Sequence, residues 1–312
     1  MSFKAQEFQS VDLAQLPAQP LHLAIGMFDG VHLGHRAVIE AAMHSARRSG
    51  GLAGVLTFHP HPSVLFQPDH PTRLILPAAA KARILFGLGV DTVIAQPFTP
   101  EFARIGAEDF LPWLKQRLPH LAAVYVGQNW RFGAARRGDV SLLVTGARPL
   151  GLSVFSAPPV NYDGQPISST RIRGLLESGD LPAASALLGY TYFAEGLVAS
   201  GRRLGRTLGF PTLNLPWAPG LCPRFGVYTA QVSGPKSPQS LAAVANYGIR
   251  PTVDKTPGEP VLESHVLGPC PFNQGDAITV EWKRFLRPET KFADVLELRA
   301  QIARDVEEAR RG

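Results

Sequence analysis

Four stretches of this chain combine histidines, hydroxyls, arginines and glycines at spacings that suit phosphate chemistry. The first is Gly26-Met27-Phe28-Asp29-Gly30-Val31-His32-Leu33-Gly34-His35, which reads as a strand-to-helix turn. Glycines let the backbone approach a ligand closely, and a helix N-terminus offers free N–H groups and a positive dipole end to an anion. His32 and His35 are three residues apart on the first helical turn and so share a face. There they can hydrogen-bond phosphate oxygens and stabilise charge that develops in phosphoryl or nucleotidyl transfer. No GxxxxGK(S/T) and no usable GxGxxG occurs, which argues against a P-loop or the usual dinucleotide fold.

Thr57-Phe58-His59-Pro60-His61-Pro62 ends a second predicted strand. If the two strands are neighbours, four of the nine histidines gather at their carboxyl ends, where open α/β sheets bind ligands. Loop histidines satisfied by neighbouring backbone, or a zinc site, are the other readings; no Cys or carboxylate joins them at ligand spacing. Ile167-Ser168-Ser169-Thr170-Arg171-Ile172-Arg173 sets two hydroxyls at a helix start with arginines one turn on. That suits a triphosphate, or an ordinary N-cap with solvated arginines.

A fourth stretch runs from Gly201 to Asn214 and combines three glycines at 201, 205 and 209 with Arg202, Arg203 and Arg206. In its extended Pro211-Thr212-Leu213-Asn214 end, Thr212 and Asn214 project to one face. A hydroxyl and an amide oxygen together suit a hard cation such as Mg²⁺; a basic turn before an edge strand is the plainer reading. Glu263 and His265 share a face of a further strand, and a carboxylate near a substrate hydroxyl can act as general base.

These residues need elements to hold them. From Leu21 to Leu150 short apolar runs alternate with helical stretches, which predicts βαβ units and a parallel sheet. A helical segment, 168–189, closes this part. Beyond it, TYFAEGLVAS, GVYTAQVS, LAAVANYG, PVLESHVL and DAITVEWKRFL predict an antiparallel barrel or sandwich. The last segment places Phe292, Val295, Leu298, Ile302 and Val306 on one helical stripe. A length of 312 residues fits two domains, and 45% apolar with 18% charged residues excludes a mostly disordered chain. A net charge of +6 favours anionic partners, phosphate-bearing ligands first and RNA second, but no run of five Lys/Arg supports a nucleic-acid tail. With no apolar run of membrane length, no signal-peptide pattern at the start and only Cys222 and Cys270, the expectation is a cytoplasmic protein.

GMFDGVHLGH, TFHPHP, VGQNWRFGAARRGD and ISSTRIR, in this order, resemble the FMN adenylyltransferase half of bacterial bifunctional riboflavin kinase/FAD synthetases. GRRLGRTLGFPTLNL, GVYTAQV, ANYGIRPTV, LESHVL and FLRPETKF resemble the kinase half. The resemblance implies an HxGH-type Rossmann-like α/β domain over residues 15–187 and a six-stranded barrel with a C-terminal helix over 188–310. It implies riboflavin, ATP and FMN as substrates, with FMN, FAD, ADP and pyrophosphate as products. Neither nucleic acid nor a membrane is implied, nor any tightly bound prosthetic group.

By the same resemblance Gly26, Phe28, Asp29, Gly30, His32, His35, His61, Ser169, Thr170 and Arg173 serve ATP in adenylyl transfer. His32, His35 and Arg173 would be its catalytic residues. Asn129, Trp130, Arg131 and Phe132 line the flavin side, although the family carries Asp-Phe where this chain has Asn129-Trp130. In the kinase half Gly205, Gly209, Thr212 and Asn214 serve ATP, the last two through Mg²⁺, with Glu263 as base and Arg287 bordering the flavin. Residues 268–275 depart from the family's Asp-Leu-Tyr-Gly, and Phe272 is expected to supply the aromatic face. The rival readings are a chain with one active module, the kinase, and a non-catalytic flavin- or RNA-binding protein.

Overall fold

A computed structural model describes residues 4–201, 204–249 and 260–311. Arg202 and Arg203, and residues 250–253 of the ANYGIRPTV segment, lie outside these residues. Backbone packing divides the chain into two units, one ending at Ser169 and the next beginning at Thr170.

The first unit carries β1 (Gln6–Phe8), β2 (Leu21–Ile25), α1 (Leu33–Ser49), β3 (Leu52–His59), α2 (Pro62–Phe66), α3 (Ala78–Gly87) and β4 (Thr92–Pro97). It continues with α4 (Pro100–Ala103), α5 (Ala107–Arg117), β5 (Leu121–Gly127), α6 (Val140–Ala147), β6 (Ser153–Ala157) and a two-stranded ribbon, β7 (Asn161–Tyr162) and β8 (Gln165–Pro166). Six strands form one parallel sheet in the order β1-β4-β3-β2-β5-β6. All five residues of β2 are buried, as a central strand covered on both faces requires. One face packs Val38, Ile39, Ala42 and Met43 of α1 with Leu85 of α3; the other packs Phe110, Leu111 and Leu114 of α5 with Leu143 of α6. Strand order reverses between β2 and β5, so the crevice at their carboxyl ends is where this architecture binds ligands.

In the second unit α7 (Ser169–Ser178) and α8 (Leu181–Leu188) replace the single helical stretch expected over 168–189. Gly179 adopts φ 87°, and Asp180 caps the next helix through the Ala183 N–H, with Pro182 in its first turn. Then follow β9 (Phe193–Leu197), α9 (Leu204–Thr207), β10 (Leu213–Pro216), β11 (Gly226–Gly234), β12 (Ser237–Ile249), β13 (Pro260–Val266), β14 (Ala277–Arg287) and α10 (Val295–Arg311).

The six strands pair antiparallel in the order β10-β13-β12-β11-β14-β9. A bridge from Ala199 N–H to the Asn214 carbonyl, 2.8 Å, brings the two edges together and nearly closes a barrel. Its interior is aromatic: Tyr192, Trp217, Tyr228, Tyr247 and Trp282 are buried in mutual ring contact. Tyr247 donates to the Trp217 carbonyl at 3.1 Å and Tyr228 to that of Arg224, so these hydroxyls enter the core without an unpaired proton. Burial pushes both phenols well above their usual range.

The terminal stripe is shorter than the periodicity predicts. Phe292 precedes the helix and Val295 is 57% exposed, leaving Leu298, Ile302 and Val306 to face β12 and β11. The 268–275 loop also departs from expectation: Phe272 is 4% exposed, and its ring lies where a Cβ on Gly234 would sit. It plugs the β11–β12 hairpin and offers no face to a flavin.

Candidate active sites

Between β2 and α1 the backbone makes a tight, strained turn. Phe28, Gly30 and Val31 have φ of 50°, 80° and 40°. A β-branched residue at positive φ is costly and persists only where its surroundings over-determine it. Here Phe28 and Val31 are buried, Asp29 accepts the Ile75 N–H at 2.9 and 3.2 Å, and the Asp29 carbonyl accepts the Ser169 hydroxyl at 2.9 Å.

The turn delivers His32 as the N-cap of α1, where its Nδ1 accepts the His35 N–H at 3.2 Å. In the neutral ring Nε2 therefore carries the proton and can donate. Gly34 lets the His32 ring lie close, since a Cβ there would meet that ring at 3.2 Å. The rings of His32 and His35 stack at 3.5 Å and 16°, with Phe28 edge-on to His35 at 5.3 Å. Burial holds His35 well below the usual imidazole range, helped by His32 and Lys81, and its Nδ1 is buried without a hydrogen-bond partner. No acidic residue lies in the first turn of α1, so nothing cancels its positive end.

The carboxyl end of the neighbouring β3 carries the second histidine pair. His59 is exposed, while His61 caps α2, its Nδ1 taking the Ser63 N–H at 3.1 Å. Among the described residues no group of three or more His, Cys, Asp or Glu is placed to hold a metal ion. Asn129 is exposed just past the end of β5. Trp130 stacks on buried Phe132 at 4.7 Å, which covers one indole face, and Arg131 reaches the Asp139 carboxylate at 3.4 Å. Along α7, Thr170 is exposed and Arg173 is half-buried.

The second site lies on the outer face of the barrel. Asn214 pairs with Glu263, Glu263 with Asn246, Asn246 with Val227, and Val227 with Arg287. Directly opposed residues share a face, so this register draws one row across five strands. All of this row but Asn214 borders a cavity of about 300 Å³, with Gly205, Thr212, His265 and Asp305 also in its lining. Glu263 and His265 stand two apart on β13, and His265 donates from Nδ1 to the Pro211 carbonyl at 2.9 Å. Asn214 is buried against Gly201, where a Cβ would lie 2.6 Å from the amide carbon. Gly205 accepts the Phe210 N–H at 2.7 Å, and Gly209 takes φ 90°.

Arg287 closes the row with a fork onto Asp305 of α10: Nε to Oδ1 2.9 Å and Nη2 to Oδ2 2.7 Å. This fork ties the terminal helix to β14 beside the cavity, and Gln301, one turn earlier on the same helix, adds a third donor at 2.8 Å. Asp305, Asn246 and Lys81 were absent from the residues expected of the sites. Asp305 could have been found, because it follows Leu298 and Ile302 on the apolar stripe, where a carboxylate needs a partner. Lys81 lies in α3, 54 residues from the turn it contacts, and no spacing announces it.

Two sites of this kind, on a doubly wound sheet and on a small barrel, define a two-module transferase acting on phosphorylated substrates. A family model described as FAD synthetase matches residues 15–171, and one described as riboflavin kinase matches 188–312. The bifunctional riboflavin kinase/FMN adenylyltransferase of Escherichia coli (strain K12) is 37% identical over 294 residues, 94% of this chain and 93% of its own. That of Bacillus subtilis (strain 168) is 34% identical over 297 residues, covering 92% and 90%. A crystal structure described as a macrolide-efflux protein from Streptococcus pneumoniae is 28% identical with a TM-score of 0.85, over 98% of both chains. Among the described residues no helix is long and apolar enough to cross a membrane. The chain belongs to the bifunctional riboflavin kinase/FMN adenylyltransferase family. It phosphorylates riboflavin to FMN and adenylylates FMN to FAD, using ATP for both.

Proposed function

We propose that FMN is adenylylated at the β2–α1 turn and riboflavin is phosphorylated on the outer face of the barrel, each reaction with its own ATP. The observation that carries this reading is the register that pairs Glu263, at the cavity wall with Asn246, to Asn214 on its other side. A base, an oxygen ligand and a positioning amide in one row are what transfer to a hydroxyl requires.

In the kinase reaction Glu263 takes the proton of the ribityl 5′-hydroxyl as its oxygen attacks the γ-phosphorus and ADP leaves. The Thr212 hydroxyl and the Asn214 amide oxygen, two neutral hard donors two residues apart, are a donor set that suits Mg²⁺. Bound there, the metal would neutralise phosphate charge. Gly205 and Gly209 let the backbone approach the nucleotide, and Arg287 orders the α10 wall of the flavin pocket.

In the adenylyl transfer an FMN phosphate oxygen attacks the α-phosphorus and pyrophosphate leaves. The free N–H groups of α1 and the Nε2–H of His32 would receive the charge that builds on the phosphate oxygens. His35 would add a second ring once phosphate restores its proton. Ser169, Thr170 and Arg173 are assigned to the triphosphate on their motif, His61 to the nucleotide, and residues 129–132 to the flavin. Use of ATP as a substrate supports the expected cytoplasmic location.

The test is a pair of single-site variants in the full chain, with flavins separated by chromatography. His32→Ala should stop FAD formation from supplied FMN and leave FMN formation from riboflavin within about twofold. Glu263→Gln should lower riboflavin phosphorylation ~10²–10⁴-fold and spare FAD formation. Loss of both activities in either folded variant would overturn the two-site reading.

A further inference from the structure

The signature turn is fastened from behind by a lysine that takes no part in the mechanism above. Lys81, in the first turn of α3, donates from Nζ to the Met27 carbonyl at 3.2 Å and to Thr57 Oγ1 at 2.8 Å. Thr57 in turn donates its proton to the same Met27 carbonyl at 3.0 Å. These three groups close a triangle joining the end of β2, the carboxyl end of β3 and α3. Two residues beyond Met27, Asp29 is fastened separately to Ile75 and Ser169. Strained Phe28 is therefore held between two independent anchors, and Gly30 and Val31 follow directly on the second.

We propose that Lys81 is a positioning residue for adenylyl transfer: its ammonium holds the β2–α1 turn so that the start of α1 and the His32–His35 pair face the nucleotide. The inference rests on the reading that this turn takes the ATP phosphates. The charge around Lys81 supports it. Burial brings its ammonium down to about 8, against the raising pull of Asp29 from the turn and Glu7 from β1. From α1, His35 feels the lysine, whose charge helps to keep that ring neutral until an anion arrives. Thr57 of β3 is neutral, so the ammonium is the one member of the triangle that loses a charge on titration near pH 8. As the proton leaves, the Met27 carbonyl loses a charged donor and His35 loses a repelling neighbour.

The experiment uses the full-length chain with Lys81→Met and Lys81→Arg. Adenylyl transfer to supplied FMN is followed from about pH 6 to about pH 9.5, with riboflavin phosphorylation as internal control. Wild-type kcat/KM, which reports the free enzyme, should fall above about pH 8. Lys81→Arg, which keeps its proton throughout this range, should retain kcat within ~10-fold at neutral pH and lose the alkaline fall. Lys81→Met should lower kcat ~10²-fold, as a misplaced reacting group does, with the KM for FMN little changed. Its His35 ring, followed by NMR, should titrate at higher pH than in the wild type.

An alkaline fall that survives in Lys81→Arg overturns the proposal. So does a His35 titration unmoved in Lys81→Met. Should Lys81→Met fail to fold, the Lys81→Arg profile decides alone. If His32→Ala remained active, the reading of the site itself would fail. If His32→Ala is inactive while both Lys81 variants match the wild type, only the role of Lys81 fails.

Discussion

Asp305→Ala tests how the second site is assembled. Asp305 is 5% exposed at its side chain and Arg287 21%, and their fork spans 2.7 to 3.1 Å with Gln301 as a further donor. Removing one partner from a buried ion pair costs ~3–5 kcal/mol, chiefly because the other charge stays behind unpaired. Arg287 keeps enough exposure to regain some water, so the lower end applies, about 3 kcal/mol. For a unit of this size that is a fall of roughly 12 °C in melting temperature. The pair also ties α10 to β14 over the cavity, so the KM for riboflavin should rise ~10-fold or more as the helix loosens. Calorimetry and a riboflavin phosphorylation assay on the same preparation read both effects. FAD formation from supplied FMN, whose His-bearing turn belongs to the other unit, should stay at the wild-type level. Arg287→Met combined with Asp305→Ala should cost less than the sum of the single changes, because it leaves no charge stranded. A melting temperature within about 2 °C of wild type, together with an unchanged KM, would refute the claim that this pair holds the site together.

His35 and Gly201 give two further tests. Because His35 is held well below the usual imidazole range in the free enzyme, the unfolded chain binds more protons than the folded one below about pH 6.5. Its contribution to stability is therefore complete above that pH and is lost as pH falls towards the folded value. Nucleotide phosphate should reverse the shift, so ATP binding near pH 6 should take up a proton. Calorimetry in two buffers of different ionisation enthalpy should show an uptake that His35→Asn lacks; equal uptake in both proteins would remove His35 from the phosphate site. Gly201→Ala puts a methyl carbon 2.6 Å from the Asn214 amide carbon. The short buried amide must then swing away, so riboflavin phosphorylation should fall ~10-fold or more while FAD formation is spared. Unchanged Mg²⁺ dependence in that variant would argue that Asn214 holds no metal.

The sequence alone determined the two modules, their order and the motifs that name their chemistry, because each rests on local rules. The 3.6-residue and two-residue periods separate helices from strands, as the fully buried β2 and the His-capped α1 bear out. Glycine at 30 marks a turn whatever lies elsewhere. Even the close pairing of His32 and His35 follows from three-residue spacing on a helix. Where a local signal was read too broadly, packing corrected it: Gly179 and Asp180 split the helical stretch, and Val295 falls off the terminal stripe.

What tertiary structure alone decided was the company that distant residues keep. Pairing across β10, β13, β12, β11 and β14 put Asn214, Glu263, Asn246, Val227 and Arg287 in one row, and a one-residue slip would have turned Glu263 inward. The same holds for Phe272, an aromatic residue in a suitable loop that folding spent on filling a hairpin. Lys81 reaches Met27 across 54 residues, and Arg287 reaches Asp305 across 18. Residue type tells what such groups can do. Only the fold sets which of them lie within a hydrogen bond of one another, because that depends on register and on helices docking over sheets.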